Sequence, residues 1–201
     1  MNFKIYDIVS LLIPGFIILF VIIHSFDFTF NDDSIIFSTA IAFVLGFIIN
    51  TLSSWLEGLY FLTWGGKPSD KILDGKDIWK VKFYKGKEVR EFLLKETINE
   101  SPSNDELFSI ALCYVNEKDS RIENTSAYYS FSRSLLTTVL ISSIIIIPSD
   151  DFNLNYYYIL IPLIFIIWLR CKQRGYYYVR EVLTEYMQKK DNFIQPSPGR
   201  S

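Results

Sequence analysis

Four apolar runs interrupt an otherwise polar chain, near Ile8 to Phe26, Ser34 to Leu56, Ser134 to Ile147 and Tyr156 to Leu169. A helix rises about 1.5 Å per residue and the hydrocarbon core of a bilayer is roughly 30 Å thick, so about 20 apolar residues make one crossing. The first two runs are long enough. The third is continuously apolar only from Leu135 and needs Tyr128, Tyr129, Phe131 and the neighbouring hydroxyl residues to complete a span. The fourth is short, with Tyr156, Tyr157, Tyr158 and Trp168 at its ends, as suits an aromatic belt. The pattern predicts a mainly α membrane protein with four transmembrane helices in two hairpins. The rival arrangement makes the last two runs a re-entrant hairpin.

Between the hairpins lies the only stretch long enough for a water-facing domain. It opens on the breakers Gly65, Gly66 and Pro68. Trp79, Val81 and Phe83 then alternate with Lys80 and Lys82 ahead of a turn at Gly86, the period of one short strand or extended arm. From Lys87 to Asn99, Val89, Phe92, Leu93 and Glu96 recur at helical spacing. Ser103 or Asn104 is the N-cap expected for a second helix, with Asp105 and Glu106 in its first turn and Leu107, Ile110, Ala111, Tyr114 and Val115 along one face. The expected organisation is a first transmembrane hairpin over 1–64, a small α-rich cytosolic domain over 65–130, a second hairpin over 131–172, and a cytosolic C-terminal helix with a disordered tail over 173–201. Elements this short cannot bury a sizeable core alone, so they are expected to pack on each other, on the membrane-proximal helices or on neighbouring subunits.

Charge assigns sides to this layout. Of 20 Lys and Arg residues, Lys4 precedes the first run, twelve lie from Lys67 to Arg133 and seven follow from Arg170 onward. The short connections at 27–33 and 149–155 hold none, and carry Asp27, Asp32, Asp33, Asp150 and Asp151 instead. The positive-inside bias therefore places both termini and the central domain of this multi-pass chain in the cytoplasm. A mean hydropathy of +0.21 with 50% hydrophobic and 17% aromatic residues agrees with a bilayer as the chain's first partner. Cys113 and Cys171 both fall on the cytoplasmic side, where thiols stay reduced.

Two patterns are candidates for function. On the second run Ser38, Ala42, Gly46, Asn50 and Ser54 recur every four residues, and on the third Ser134, Thr138 and Ser142 do the same. Small and polar stripes let helices approach closely and hydrogen-bond, so one reading is packing; the other is that a stripe lines an aqueous pore in an oligomer. Such a pore needs a ring of subunits, most simply a tetramer. In the cytosolic domain, residues 76–95 hold seven bases against three acids, a net of +4, and residues 96–123 seven acids against two bases, a net of −5. Lys80, Lys82, Lys85, Lys87 and Arg90, with Trp79 and Tyr84 interleaved, can hold phosphates and stack bases of a nucleotide or oligonucleotide. The plainer reading is a solvated, headgroup-facing patch that obeys the positive-inside rule.

Enzyme chemistry finds little footing. His24 stands alone at the outer end of the first run, the cysteines have no CxxC partner or nearby His, and neither a Walker motif nor GxGxxG occurs. No catalytic residue, metal site or cofactor is expected. Asn124, Thr125 and Ser126 match a glycosylation triplet by chance on a cytoplasmic face.

The N-terminal Tyr6, Asp7, Ile13, Pro14, Gly15 signature, Arg133 leading into the third run, and Arg174, Tyr178, Glu181, Val182 and Tyr186 after the fourth carry a resemblance. Together with the layout, they look like the compact membrane subunits of bacterial anti-phage defence systems, the Hailong channel-like effector first and the Kiwa membrane subunit second. The Hailong resemblance implies an oligomeric ion channel held closed by a nucleic-acid-like product of a partner nucleotidyltransferase. The Kiwa resemblance implies a non-conducting membrane sensor that recruits a cytosolic DNA-binding partner.

Overall fold

The computed structural model describes residues 5–26, 35–76, 81–83, 85–115, 120–147 and 157–194. Within them the chain is mainly helical, with eight helices: α1 Ile5–Ser25, α2 Ile35–Trp55, α3 Glu57–Trp64, α4 Pro68–Leu73, α5 Gly86–Glu96, α6 Asn104–Tyr114, α7 Ser120–Ile146 and α8 Tyr157–Ile194. Three stretches are long and apolar enough to cross a membrane: Ile8–Ser25, Ile35–Trp55 and Arg121–Ile146. The fourth expected span behaves differently. Its apolar run from Tyr157 to Leu169 covers roughly 20 Å of helix. The helix does not stop there, and runs on through Arg170 and Lys172 to Ile194 as one element of 38 residues.

Two compact units divide the chain, one of residues 1–60 and 127–171, the other of residues 61–126 and 172–201. In the first, α1 and α2 pack at backbone distance. A Cβ added at Gly15 would overlap the Ala42 carbonyl oxygen, and one at Gly46 the Leu11 carbonyl oxygen, so only glycine fits at either position. Ala42, Gly46, Ile49 and Ser53 are the buried residues of α2, while Phe43, Val44, Phe47 and Ile48 are exposed, as a lipid-facing side should be.

The second unit has a conventional hydrophobic core. Ile72 and Leu73 of α4, Val89 and Leu93 of α5, Leu107 and Ala111 of α6 and Ile122 at the start of α7 meet Tyr176, Val179, Val182, Leu183, Tyr186 and Met187 of α8. The C-terminal helix is therefore part of this domain and supplies the side against which the short helices bury their apolar faces. Val81 enters the same core, Phe83 packs on it and Lys82 between them is exposed. The inward-outward alternation expected of an arm is present at 81–83, without a strand among the described residues. Gly86 is not a turn residue: it starts α5 and presses against the Ile72 carbonyl oxygen, which a Cβ would overlap. α6 begins at a full capping box, with Ser103 Oγ accepting from Glu106 N at 3.2 Å and Ser103 N donating to Glu106 Oε2 at 2.9 Å.

Candidate functional site

The first unit holds a buried polar ladder between the end of α2, α3 and α7. Asn50 Oδ1 accepts from Ser130 Oγ at 3.1 Å and from Ser134 Oγ at 2.9 Å, filling both lone pairs of its carboxamide oxygen. Ser53 donates to the Asn50 carbonyl at 2.7 Å and lies 3.4 Å from Ser134 Oγ. One rung lower, Thr137 spends its proton on the Arg133 carbonyl at 3.0 Å, so Tyr60 is the donor in the 2.7 Å bond between Tyr60 Oη and Thr137 Oγ1. The last rung is charged: Glu57 Oε1 accepts from Tyr129 Oη at 2.6 Å and from Arg133 Nη1 at 2.8 Å, and the guanidinium lies over the Tyr129 ring at 5.3 Å. Arg133 is 12% exposed and Glu57 30%, so the pair is largely withdrawn from water and depends on these partners for its charge.

The stripes named from sequence separate on this geometry. Ala42 and Gly46 face α1, and Asn50 faces α7. Ser38 is half-buried. Ser54 is exposed in the single chain, and its neighbour Ser53 is fully buried. On α7, Ser134, Thr138 and Ser142 are all buried. Thr138 donates to the Ser134 carbonyl at 2.8 Å and Ser143 to that of Val139 at 2.6 Å, whereas the Ser142 hydroxyl has no hydrogen-bond partner. Glu57, Tyr60, Tyr129, Ser130 and Thr137 were not anticipated. Their signal was present: an Arg at the edge of an apolar run requires an acceptor, and Glu57 is the first carboxylate after the second run.

In the second unit, Lys82, Lys85 and Lys87 are exposed, and Lys87 lies along Gly75. Arg90 is half-buried and sits 3.6 Å from Asp74, which also accepts from Asn104 Nδ2 at 3.2 Å and lies 3.4 Å from Lys76 Nζ. The Asn104 hydrogen bond, followed by Lys76 and Arg90, holds the Asp74 carboxyl below its ordinary range. Arg90 is therefore an anchor between α5 and the end of α4. Trp79, Lys80 and Tyr84 lie outside the described residues, as do the five loop aspartates.

At the far end of this unit, Lys190 pairs with Glu96 and lies 4.7 Å above the Tyr114 ring, which meets Tyr186 edge-on at 5.7 Å. Glu96 raises the Lys190 ammonium above its usual value, and burial, then Glu96, pushes the Tyr186 phenol up. Burial alone carries Tyr176 to about 12. Cys113 is exposed and Cys171 buried, both as free thiols, and His24 stacks on Phe20. Among the described residues no group of His, Cys, Asp and Glu is placed to hold a metal ion. No protein-family model matches the chain, and no curated protein or solved structure matches it.

Proposed function

We propose that the chain is a four-crossing protein of a cytoplasmic membrane, with both termini inside, that acts as a sensor transmitting the state of its cytosolic domain to its second hairpin. One observation carries this reading: the domain's core contains residues from before that hairpin, Ile72 to Ile122, and from after it, Tyr176 to Met187. Two segments sharing one core lie on one side of the bilayer, so the chain crosses an even number of times between them. α7 supplies one crossing and the apolar first half of α8 supplies the return, its short length met by snorkelling of Arg170 and local thinning of the bilayer. Because Ile122 of α7 and six residues of α8 sit in that core, any rearrangement of α4 to α6 bears on both helices of the hairpin. A cytosolic partner recruited to the domain would act in this way.

An oligomeric, nucleotide-gated pore is the second reading, favoured by the Ser142 hydroxyl, buried on the α7 stripe without the back-bond that Thr137, Thr138 and Ser143 make. Against it, Ala42 and Gly46 already pack on α1, and Asn50 accepts from Ser134, within a single chain. Reconstitution separates the two. The sensor reading expects no ion flux from liposomes carrying the protein, and expects Leu183→Ala, which loosens the domain core, to accelerate amide exchange in α7 and α8 as well as in α5 and α6. Flux that Asn50→Leu or Thr138→Val alters would replace it with the pore, and faster exchange confined to α5 and α6 would remove the coupling.

A further inference from the structure

The exposed side of α2 divides into two seams about 100° apart round the helix. Phe37, Val44, Ile48 and Trp55 form one, which is apolar throughout, as contact with lipid tails requires. Ile36, Ala40, Phe43, Phe47, Asn50 and Ser54 form the other, and steps of four and three residues alternate along it. That is the 3.5-residue period at which one helix winds against another. This second seam also carries polar groups that the chain itself leaves open. Asn50 accepts at Oδ1 from Ser130 and Ser134, but among the described residues its Nδ2 donates to none. Ser54 Oγ has no partner among them either, whereas Thr39 and Thr51 spend their protons on the Ile35 and Phe47 carbonyls of their own helix, at 2.8 and 3.0 Å. Ser38 also lacks such a bond, but it stands alone about 160° round the helix from Ser54. Asn50 lies about 7 Å of helix inside Trp55, the last residue of the apolar span, where hydrocarbon offers an amide no acceptor.

We infer that this seam is the contact between two copies of the chain, α2 against α2 in parallel. Copies in one membrane share an orientation, so a two-fold axis along the bilayer normal brings each seam residue to its counterpart at the same depth. Asn50 then meets its counterpart with Ser54 one turn further on. The amides bring donors and the hydroxyls acceptors, so the face complements itself and needs no second kind of protein. A single Asn in an otherwise apolar stretch of seam also fixes the register, because a slip along the helix returns its amide to an apolar layer. Small Ala40 and Ser54 leave room for the backbones to close around Phe43 and Phe47. The inference rests on α2 crossing the membrane and is independent of both the sensor and the pore reading.

Cysteine cross-linking of the full-length protein in the membranes of expressing cells, in a Cys113→Ser background, tests it. Under copper phenanthroline, Phe43→Cys, Phe47→Cys and Ser54→Cys should each give a band at twice the 23.5 kDa of the chain, and Val44→Cys and Ile48→Cys should give none. All five side chains are exposed, so these variants leave the packed side of α2 untouched. Energy transfer between labelled copies in liposomes, followed as added lipid dilutes the protein, gives the strength of the contact. Ser54→Val should weaken it about ten-fold, since two-fold symmetry removes each lost hydrogen bond twice, while Thr51→Val leaves it unchanged. Equal cross-linking at both seams, which random collision would give, overturns the inference, as does no cross-linking at Phe43, Phe47 and Ser54. Association of Ser54→Val as strong as that of the wild type overturns it too. A cross-linked band of any mass other than twice the chain's would assign the seam to a different protein and count equally against it.

Discussion

Gly15 and Gly46 are the residues on which the first hairpin turns. Each meets a carbonyl oxygen of the facing helix where a methyl group would have to go. In lipid there is no hydrophobic force to press helices together, so association rests on packing of this kind, and separating the backbones forfeits it along the whole contact. Gly46→Ala, and Gly15→Ala equally, should therefore lower the thermal stability of the detergent-solubilised protein by about 1 to 3 kcal/mol, the usual range for overpacking. Gly58 in α3 is the control, with nothing within 4 Å of its Cβ position. Gly58→Ala should be neutral or stabilising by about 0.5 to 1 kcal/mol through helix propensity. Equal responses at Gly46 and Gly58 would mean that α1 and α2 are not in backbone contact. The same scale explains why Ser53 and not Ser54 closes the ladder. At about 100° per residue a four-residue step drifts by about 40°, so by Ser54 the stripe has turned about 120° away from Ala42, whereas Ser53 has returned to within about 20° of it.

Elements were legible where a local signal marks them. The start of α6 could be read because Ser103 and Glu106 form a reciprocal cap that needs only neighbours in sequence. α8 could not be read as one helix, since its backbone hydrogen bonds are indifferent to the change from apolar to charged side chains at Arg170 that sequence reading takes for a boundary. Nor was its role in the domain core visible: Tyr176, Val179, Val182, Leu183, Tyr186 and Met187 gain meaning only once α5 and α6 are laid against them. The Glu96, Lys190, Tyr114 and Tyr186 cluster joins these three helices and makes them sensitive to alkali. Lys190 and Tyr186 both hold their protons more tightly folded than unfolded. Their contribution is complete below the ordinary values of 10.5 and 10.0 and is lost as pH rises through the folded ones. Near-UV circular dichroism during thermal melts should show stability falling from pH 9 to pH 12. Glu96→Gln, which removes the charge that raises Lys190 and that adds to burial in raising Tyr186, should cost about 1 to 2 kcal/mol at neutral pH and flatten the alkaline fall in part. A variant with the wild-type alkaline slope would show that the cluster is not its source.

For the molecule as a whole, the loop charges and the shared core each constrain the proposed topology from an independent direction. The charge bias asks for positions 27–33 and 149–155 outside and everything basic within; the core asks that α5, α6 and the end of α8 lie together. A re-entrant second hairpin satisfies the core equally well, since it too returns the chain to its starting side, so the outer loop at 149–155 is the place to discriminate. Impermeant maleimide applied to intact cells should label a cysteine introduced at Asp32 and one at Asp150. Cys113 is exposed and serves as the internal reporter, silent in intact cells and labelled after permeabilisation. Cys171 is buried and should stay silent in both conditions, so its silence carries no topological weight. Labelling at position 32 with none at position 150 until permeabilisation would convert the second hairpin to a re-entrant one, and labelling of Cys113 in intact cells would invert the orientation. With all three reporters as expected, α7 and α8 cross fully, and the ion pair of Glu57 with Arg133 lies at the cytoplasmic edge of the span, where neutral Arg133→Leu would leave Glu57 without its cation and Tyr129 without its stacking partner.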